Sequence, residues 1–504
     1  MLKNIIYNML GQGTVLLLSF VAVRFIFRRL GGDAFGIVYF NVLLTTLIVT
    51  VLDFGISTTT IREVSRSSAT EPDYIRDLVR TASLFYWSAV VALGIAIYLG
   101  TPWLVTHWIH LGSMSPSTAI PALRVLGIAA LLALPRVLYT SLFRGLQRME
   151  FNNAIDVGTT VLSQGGVVVI LVLHGNLQTV ADWIALSSLV MVLTYIGVAA
   201  RLFSPLALLP GYSRAVVGRN LGFGLQMVAI SSLSIAFTQG TQVILSALLP
   251  ISQFGYYGFL NNLAARAAFV PGAIAQAGQP SLNRLAATGP EPIFQVQFRK
   301  LQDLVTFGTA PIFVLIPFAT LPLLTYLFNG SVAKSLLLPA ALLGLGFYMN
   351  AMLTIPFLAS LAVGKPQIAT QSNVVALFIV LPITAALVVS FGLPGAAFSW
   401  VFYHLFAYLY QIPRYCRQCL HLPARLWYER LLRAVALIAL TYGAAWATLS
   451  LLQVWNPLAL AIAFLTASAV YTLGASRLIG SELRDSARDR FRILRSWQAR
   501  PQHP

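Results

Sequence analysis

Polar side chains recur at steps of three or four along segments that are otherwise apolar, a spacing that puts them on single helix faces. The clearest stripe is Ser231, Ser234, Thr238, Gln242 and Ser246. Asn262, Arg266 and Gln276 share a second face, and Asn8, Gln12 and Ser19 a third. Asn41, Thr45 and, with some drift, Asp53 form a fourth. In apolar surroundings such stripes either bond neighbouring helices, at about 0.6 kcal/mol per bond, or line a hydrated cavity. Four stripes on equivalent helices favour the cavity. Arg266 adds a permanent cation, and a guanidinium meets oxyanions such as phosphate with two parallel hydrogen bonds. An arginine at the centre of a bilayer costs at least about 2.5–3.5 kcal/mol, so Arg266 should face protein or water. Arg24 and Arg124 lie nearer segment ends, where snorkelling to the headgroups and contact with a cavity mouth both suit them. The expected ligand-contacting set is Arg266, Asn262, Arg24, Arg124, Gln242, Thr238, Gln12 and Asn41.

The chemistry is binding, not bond-making. There is no G-x-x-x-x-G-K-[ST] loop, the six histidines have no ligand spacing, and the fifteen acidic residues fall mostly in loops, so no enzyme, catalytic residue or cofactor is expected. Cys416, Cys419 and His421 suggest zinc, but four ligands are needed and no second pair exists; reduced thiols are expected and no metal. His404, in mid-segment, reads as a hydrogen-bonded core residue. Asp156 and Asp53 are expected to pair with Arg148 and Arg62, and Asp303 to favour the positive end of a helix dipole.

The elements that must carry these residues follow from composition. With 58% hydrophobic and 10% charged residues and a mean hydropathy of +0.78, the 504 residues have too little polar surface for water. About 20 apolar residues cross a bilayer core. Fourteen spans are predicted, near 7–28, 35–59, 80–100, 119–143, 153–173, 180–201, 220–248, 254–277, 303–328, 335–363, 367–390, 394–413, 432–453 and 457–477. The first is too long for a signal-peptide core and is followed by Arg28 and Arg29, so it reads as a retained span.

Arginine-bearing and arginine-free turns alternate between spans. Arg62 to Arg80, Arg144 and Arg148, Arg214 and Arg219, Arg284 to Lys300, Lys365, Arg414 to Arg433 and the tail from Arg484 mark one side; Lys334 and the Arg28–Arg29 pair are the exceptions. That side is cytoplasmic by the positive-inside bias, which puts both termini there. The net charge of +18 is then a topology signal, and nucleic acid is not an expected partner. The basic, aromatic run over Arg417, Arg425, Trp427, Tyr428, Arg430 and Arg433 reads as an amphipathic stretch against anionic headgroups.

An internal repeat links Arg29–Gly36 to Leu248–Gly255, a period close to 219 residues. Six helices per repeat is even, so the halves share an orientation. The expected architecture is an all-α polytopic membrane protein with about fourteen transmembrane helices, in two parallel-related six-helix lobes plus a C-terminal helix pair. The boundaries are 1–213 (helices 1–6), 214–415 (helices 7–12), 416–480 (amphipathic segment and helices 13–14) and 481–504, a basic cytoplasmic tail.

Arg29-Leu30-Gly31 through Phe35-Gly36, Asp53-Phe54-Gly55 with Arg62-Glu63, Arg144-Gly145-Leu146-Gln147-Arg148, Gly364-Lys365-Pro366 and Phe391 to Ala397 together resemble the Wzx-type polysaccharide flippases of the multidrug/oligosaccharidyl-lipid/polysaccharide exporter superfamily. The resemblance runs the length of the chain. It implies a bacterial inner-membrane flippase moving undecaprenyl-diphosphate-linked oligosaccharide to the periplasmic leaflet for O-antigen or exopolysaccharide synthesis. Its partners would be that lipid-linked oligosaccharide, membrane lipids and polysaccharide polymerase or assembly proteins. An ion-coupled drug or metabolite antiporter, a lipid II flippase and a non-transporting assembly scaffold are the alternatives; the antiporter calls for a buried carboxylate, whereas the deep charges here are cationic.

Overall fold

The computed structural model describes residues 2–67, 70–202 and 208–480, the side chains of residues 2–16 and 223–238 lying outside that description. A chain solvated by lipid must satisfy its backbone N–H and C=O groups within its own segments, and the described residues do so as helices. They fall into two compact units, Met1–Gly258 and Phe259–Pro504. The first unit holds α1 (Leu2–Leu52), α2 (Ile56–Ser67), α3 (Pro72–His107), α4 (Pro116–Leu131), α5 (Ala133–Gly145), α6 (Met149–Val172), α7 (Leu177–Leu202) and α8 (Arg214–Leu248). The division falls inside α9 (Ile251–Ala267). The second unit continues with α10 (Phe269–Thr288), α11 (Glu291–Gly308), α12 (Ala310–Leu327), α13 (Gly330–Ser335), α14 (Leu337–Ala362) and α15 (Gln367–Tyr415). It ends with α16 (Ala424–Ile438), α17 (Ala444–Leu451) and α18 (Pro457–Leu478), interrupted by π-helical turns at Cys416–Leu420 and Ala439–Gly443.

Ten helical runs among the described residues are long and apolar enough to cross a membrane. The run Gln367–Leu420 is longer than one crossing and doubles back on itself. Tyr403 donates to Asn373 at 2.9 Å and Gln411 to Ser372 at 3.0 Å. A straight helix would hold residues 373 and 403 about 45 Å apart. The fold-back occurs at Gly392, whose φ of 59° lies in the left-handed region.

Proline sets the other interruptions, because it lacks the N–H that the preceding turn requires. Pro135 follows the break between α4 and α5, Pro271 that between α9 and α10, and Pro311 that between α11 and α12. The predicted fourth, eighth and ninth spans are accordingly each built from two helices. The predicted second span stops at Leu52 instead of residue 59: Phe54 (φ 44°) and Gly55 (φ 71°) turn the chain, and α2 sets off as a separate amphipathic helix.

The 219-residue period has a geometric counterpart. It carries Gly31, the non-helical residue inside α1, onto Pro250, where α8 gives way to α9. It also carries Gly36 onto Gly255, and these two glycines pack backbone against backbone: a Cβ on Gly255 would lie 2.7 Å from the Gly36 Cα. Phe40 meets Phe254, and Phe35 meets Tyr256, around that contact. The core of the first unit gathers Tyr86, Tyr139, Phe143 and Tyr195 with the leucines of α5.

Candidate functional site

Arg266 and Asn262 lie one turn apart near the end of α9, and both are exposed. Neither has a hydrogen-bond or ion-pair partner among the described residues. Phe269, just beyond the break, is exposed too. Arg266 is therefore an exposed cation within a predicted span, where its cost in hydrocarbon disfavours contact with lipid tails.

The other predicted contacts divide. Asn41 is half-buried on α1, and its Oδ1 is shielded without a hydrogen-bond partner among the described residues. Such an unsatisfied acceptor costs about 1–3 kcal/mol and is satisfied by any donor that enters. Arg24 and Gln242 are half-buried on α1 and α8. Gln12 and Thr238, with Asn8, Ser231 and Ser234, have side chains outside the described residues. Arg124 is occupied: its Nε donates to the Tyr98 carbonyl at 3.1 Å and its guanidinium lies 4.1 Å from the Tyr98 ring centroid. That clamp of α4 on α3 accounts for the arginine structurally.

Charged clusters not anticipated from the sequence lie elsewhere in the first unit. Asp156 takes Arg136 at 2.8 Å and the Tyr195 hydroxyl at 2.9 Å, so its partner is Arg136 and not Arg148. The only advance signal was an arginine directly after Pro135, inside a predicted span. Asp53 accepts from Tyr86 at 2.8 Å and from the Ser57 hydroxyl at 2.7 Å, not from Arg62. Arg62 instead contacts Glu63 at 2.7 Å and donates to Asn220 at 3.1 Å. Glu63 is buried, and Arg219 reaches it at 3.4 Å while bonding Glu71 at 2.7 Å. The bonded Arg219 guanidinium holds the exposed Glu71 carboxyl below its ordinary value.

These contacts tie the start of α8 to α2 and α3. The far end of α8 is tied as well, Trp108 donating to Ser246 at 3.2 Å and Ile251 N–H to the His110 carbonyl at 2.9 Å. The loop that carries His110 is fixed by buried Asp33, one of whose oxygens accepts the backbone N–H groups of Gly112, Ser113 and Met114 at 3.0, 2.6 and 3.0 Å.

In the second unit His404 is fully buried. Its Nδ1 donates to the Trp400 carbonyl at 2.7 Å, and its Nε2 accepts from Asn350 at 3.0 Å, the neutral tautomer this network requires. Asp303 departs from the dipole expectation: it is buried in α11, paired with Arg430, and accepts the Gly480 N–H at 3.1 Å. His421 pairs with Glu291 at 2.8 Å. An apolar cavity of about 740 Å³ lies among α12, α14, α16 and the π-helical turn that follows, walled by Phe313, Phe318, Tyr442, Trp446 and Trp455.

A family model described as Polysaccharide biosynthesis protein matches residues 1–284. The solved structure of lipid II flippase MurJ in an inward closed conformation superposes with a TM-score of 0.67 at 13% identity, over 94% of this chain and 98% of that one. An inward-facing multidrug resistance MATE family transporter of the MOP superfamily superposes with a TM-score of 0.62 at 14% identity, over 80% of this chain and 95% of that one. No curated protein sequence matches. The all-α polytopic fold is thus one that this chain shares with solved membrane transporters.

Proposed function

Since this chain belongs to the polysaccharide biosynthesis protein family, we propose that it flips undecaprenyl-diphosphate-linked oligosaccharide from the cytoplasmic to the periplasmic leaflet of a bacterial inner membrane. The observation that carries this reading is the open cation at Arg266 beside Asn262. A lipid diphosphate must bring negative charge through a low-dielectric region, and a fixed guanidinium offers it paired hydrogen bonds without a change of protonation. Asn262 and the half-buried Asn41 and Gln242 supply neutral groups that sugar hydroxyls of many glycans can use. The large aromatic-walled cavity in the second unit supports a substrate with a hydrocarbon tail.

In this reading the functional halves are residues 1–213 and 214–415, with 416–480 appended and both termini cytoplasmic. Polymerase or assembly proteins are the partners that would receive the product.

The test is translocation of labelled lipid-linked oligosaccharide in proteoliposomes. Arg266→Ala should abolish flipping while the protein still inserts and unfolds normally, because the side chain has no partner among the described residues whose loss would destabilise the fold. Arg266→Lys should keep part of the activity. Normal flipping by folded Arg266→Ala protein would overturn the assignment. Unlabelled lipid II in equal amount should compete poorly; full competition would favour the lipid II alternative.

A further inference from the structure

A pocket of about 130 Å³ opens in the second unit where the π-helical turn Cys416–Leu420 meets α11 and α16. Its shape comes from the backbone. His421 adopts a left-handed conformation with φ 49°, Leu422 N–H closes back onto the Cys416 carbonyl at 3.0 Å, and Pro423 leads directly into α16. The walls are largely apolar, from Phe298, Leu420, Leu426 and Trp427, yet Arg299 and Arg430 meet there from helices far apart in sequence.

The two arginines are not equally committed. Arg430 spends one guanidinium nitrogen on buried Asp303, whose other oxygen is taken by Gly480 N–H. Asp303 therefore offsets one positive charge, and Arg299 has no hydrogen-bond or ion-pair partner among the described residues. The nearby surface acids are engaged elsewhere: Glu291 with His421 at 2.8 Å, and Glu429 with Arg425 at 2.6 Å and Arg433 at 3.9 Å. An excess cation in a pocket with apolar walls needs an amphipathic anion. Leu426 both lines the pocket and is 44% exposed, so an apolar surface leads out of it.

We propose that this pocket seats the phosphodiester of an anionic glycerophospholipid, with Arg299 and the spare nitrogens of Arg430 on the phosphate oxygens and the acyl chains leaving over Leu426. The pocket has room for one phosphate group and not for a glycan. A lipid held there would bridge α11, the π-helical turn and α16, fastening the start of the C-terminal helices to the rest of the second unit. The proposal is independent of what the protein transports.

Native mass spectrometry of the full chain released from nanodiscs, of phosphatidylcholine alone or mixed with phosphatidylglycerol, reads the site directly. The wild type should retain phosphatidylglycerol. Arg299→Gln should lower that retention about fivefold, the factor one basic residue supplies at an anionic surface. Its unfolding temperature in phosphatidylcholine should stay that of the wild type, and Arg425→Gln, outside the pocket, should retain the lipid in full. Leu422→Trp, which fills the pocket without altering charge, should match Arg299→Gln and keeps the test decisive should the latter fold poorly. Undiminished retention by Arg299→Gln or by folded Leu422→Trp protein would overturn the proposal. Equal stabilisation by millimolar inorganic phosphate in phosphatidylcholine alone would assign the site to a free anion and overturn it too, as would phosphatidylglycerol retention that appears only after removal of residues 481–504.

Discussion

Replacing Gly36 with alanine sets two effects of opposite sign against each other. Alanine is favoured over glycine in a helix interior by about 0.8–1.0 kcal/mol, so propensity alone would make the variant more stable. The added Cβ, however, would lie 2.0 Å from the Ile251 carbonyl oxygen and 2.5 Å from its carbon. Comfortable carbon contacts begin near 3.5 Å, so α1 and the start of α9 would have to part by roughly 1–1.5 Å. Both obstructing atoms are backbone and cannot swing aside. Gly255, stacked on Gly36, would be displaced with them. Overpacking of this kind costs about 1–3 kcal/mol, and a clash with backbone belongs at the upper end, leaving a net loss of about 2 kcal/mol after the propensity gain. Thermal unfolding in one detergent, followed by tryptophan fluorescence, should show Gly36→Ala melting below the wild type. Gly158→Ala in α6, where a Cβ meets nothing within 4 Å, should melt at or above it. If the two variants move together in the stabilising direction, the close packing of the repeat glycines is refuted.

Other variants test the charged and polar clusters. Arg136→Gln and Asp156→Asn should be less than additive, with a coupling of about 1 kcal/mol in a double-mutant cycle, modest because the side chains are 36% and 39% exposed; strict additivity would mean the pair is not formed. His404→Phe should cost about 1–3 kcal/mol by leaving the Asn350 amide without its imidazole partner in the core and removing the second bond to the Trp400 carbonyl, and unchanged unfolding would contradict that network. Because Arg219 lowers the Glu71 pKa from its ordinary 4.5, that pairing contributes fully above pH 4.5 and is lost as the pH falls below it; Arg219→Gln should flatten the acid limb of a stability-against-pH profile, and an unaltered limb would count against the contact.

Hydropathy and the alternation of arginines made the membrane class and the helix positions legible in the chain, because a bilayer imposes one length and one polarity on every crossing. The breaks at Leu132, Ala268 and Thr309 were present as prolines two or three residues further on, but a proline can equally be absorbed as a kink, so the sequence left the outcome open. Pairings were the least legible. Asp156 was matched to Arg148 by closeness along the chain, whereas the packing of α5 on α6 brings Arg136 to it across a gap of twenty residues. For Arg124 the sequence leaves headgroups and a cavity mouth both open, and carries no sign that Tyr98, on another helix, offers it a carbonyl and a ring face. Arg266 and Asn262 were legible together because their relation is local: one helical turn fixes it.

The partner that completes the buried Glu63 also sets a clock on how this protein is made. Arg62 is synthesised beside Glu63 and can meet one of its oxygens at once, but the other waits for Arg219, 156 residues later in the chain. At about 5–20 residues per second a ribosome takes on the order of ten to thirty seconds to deliver it. Throughout that interval α3 to α7 are made while one oxygen of the carboxylate is still without its distant partner. The contact of α8 with α2 can therefore close only after the five helices between them have been made.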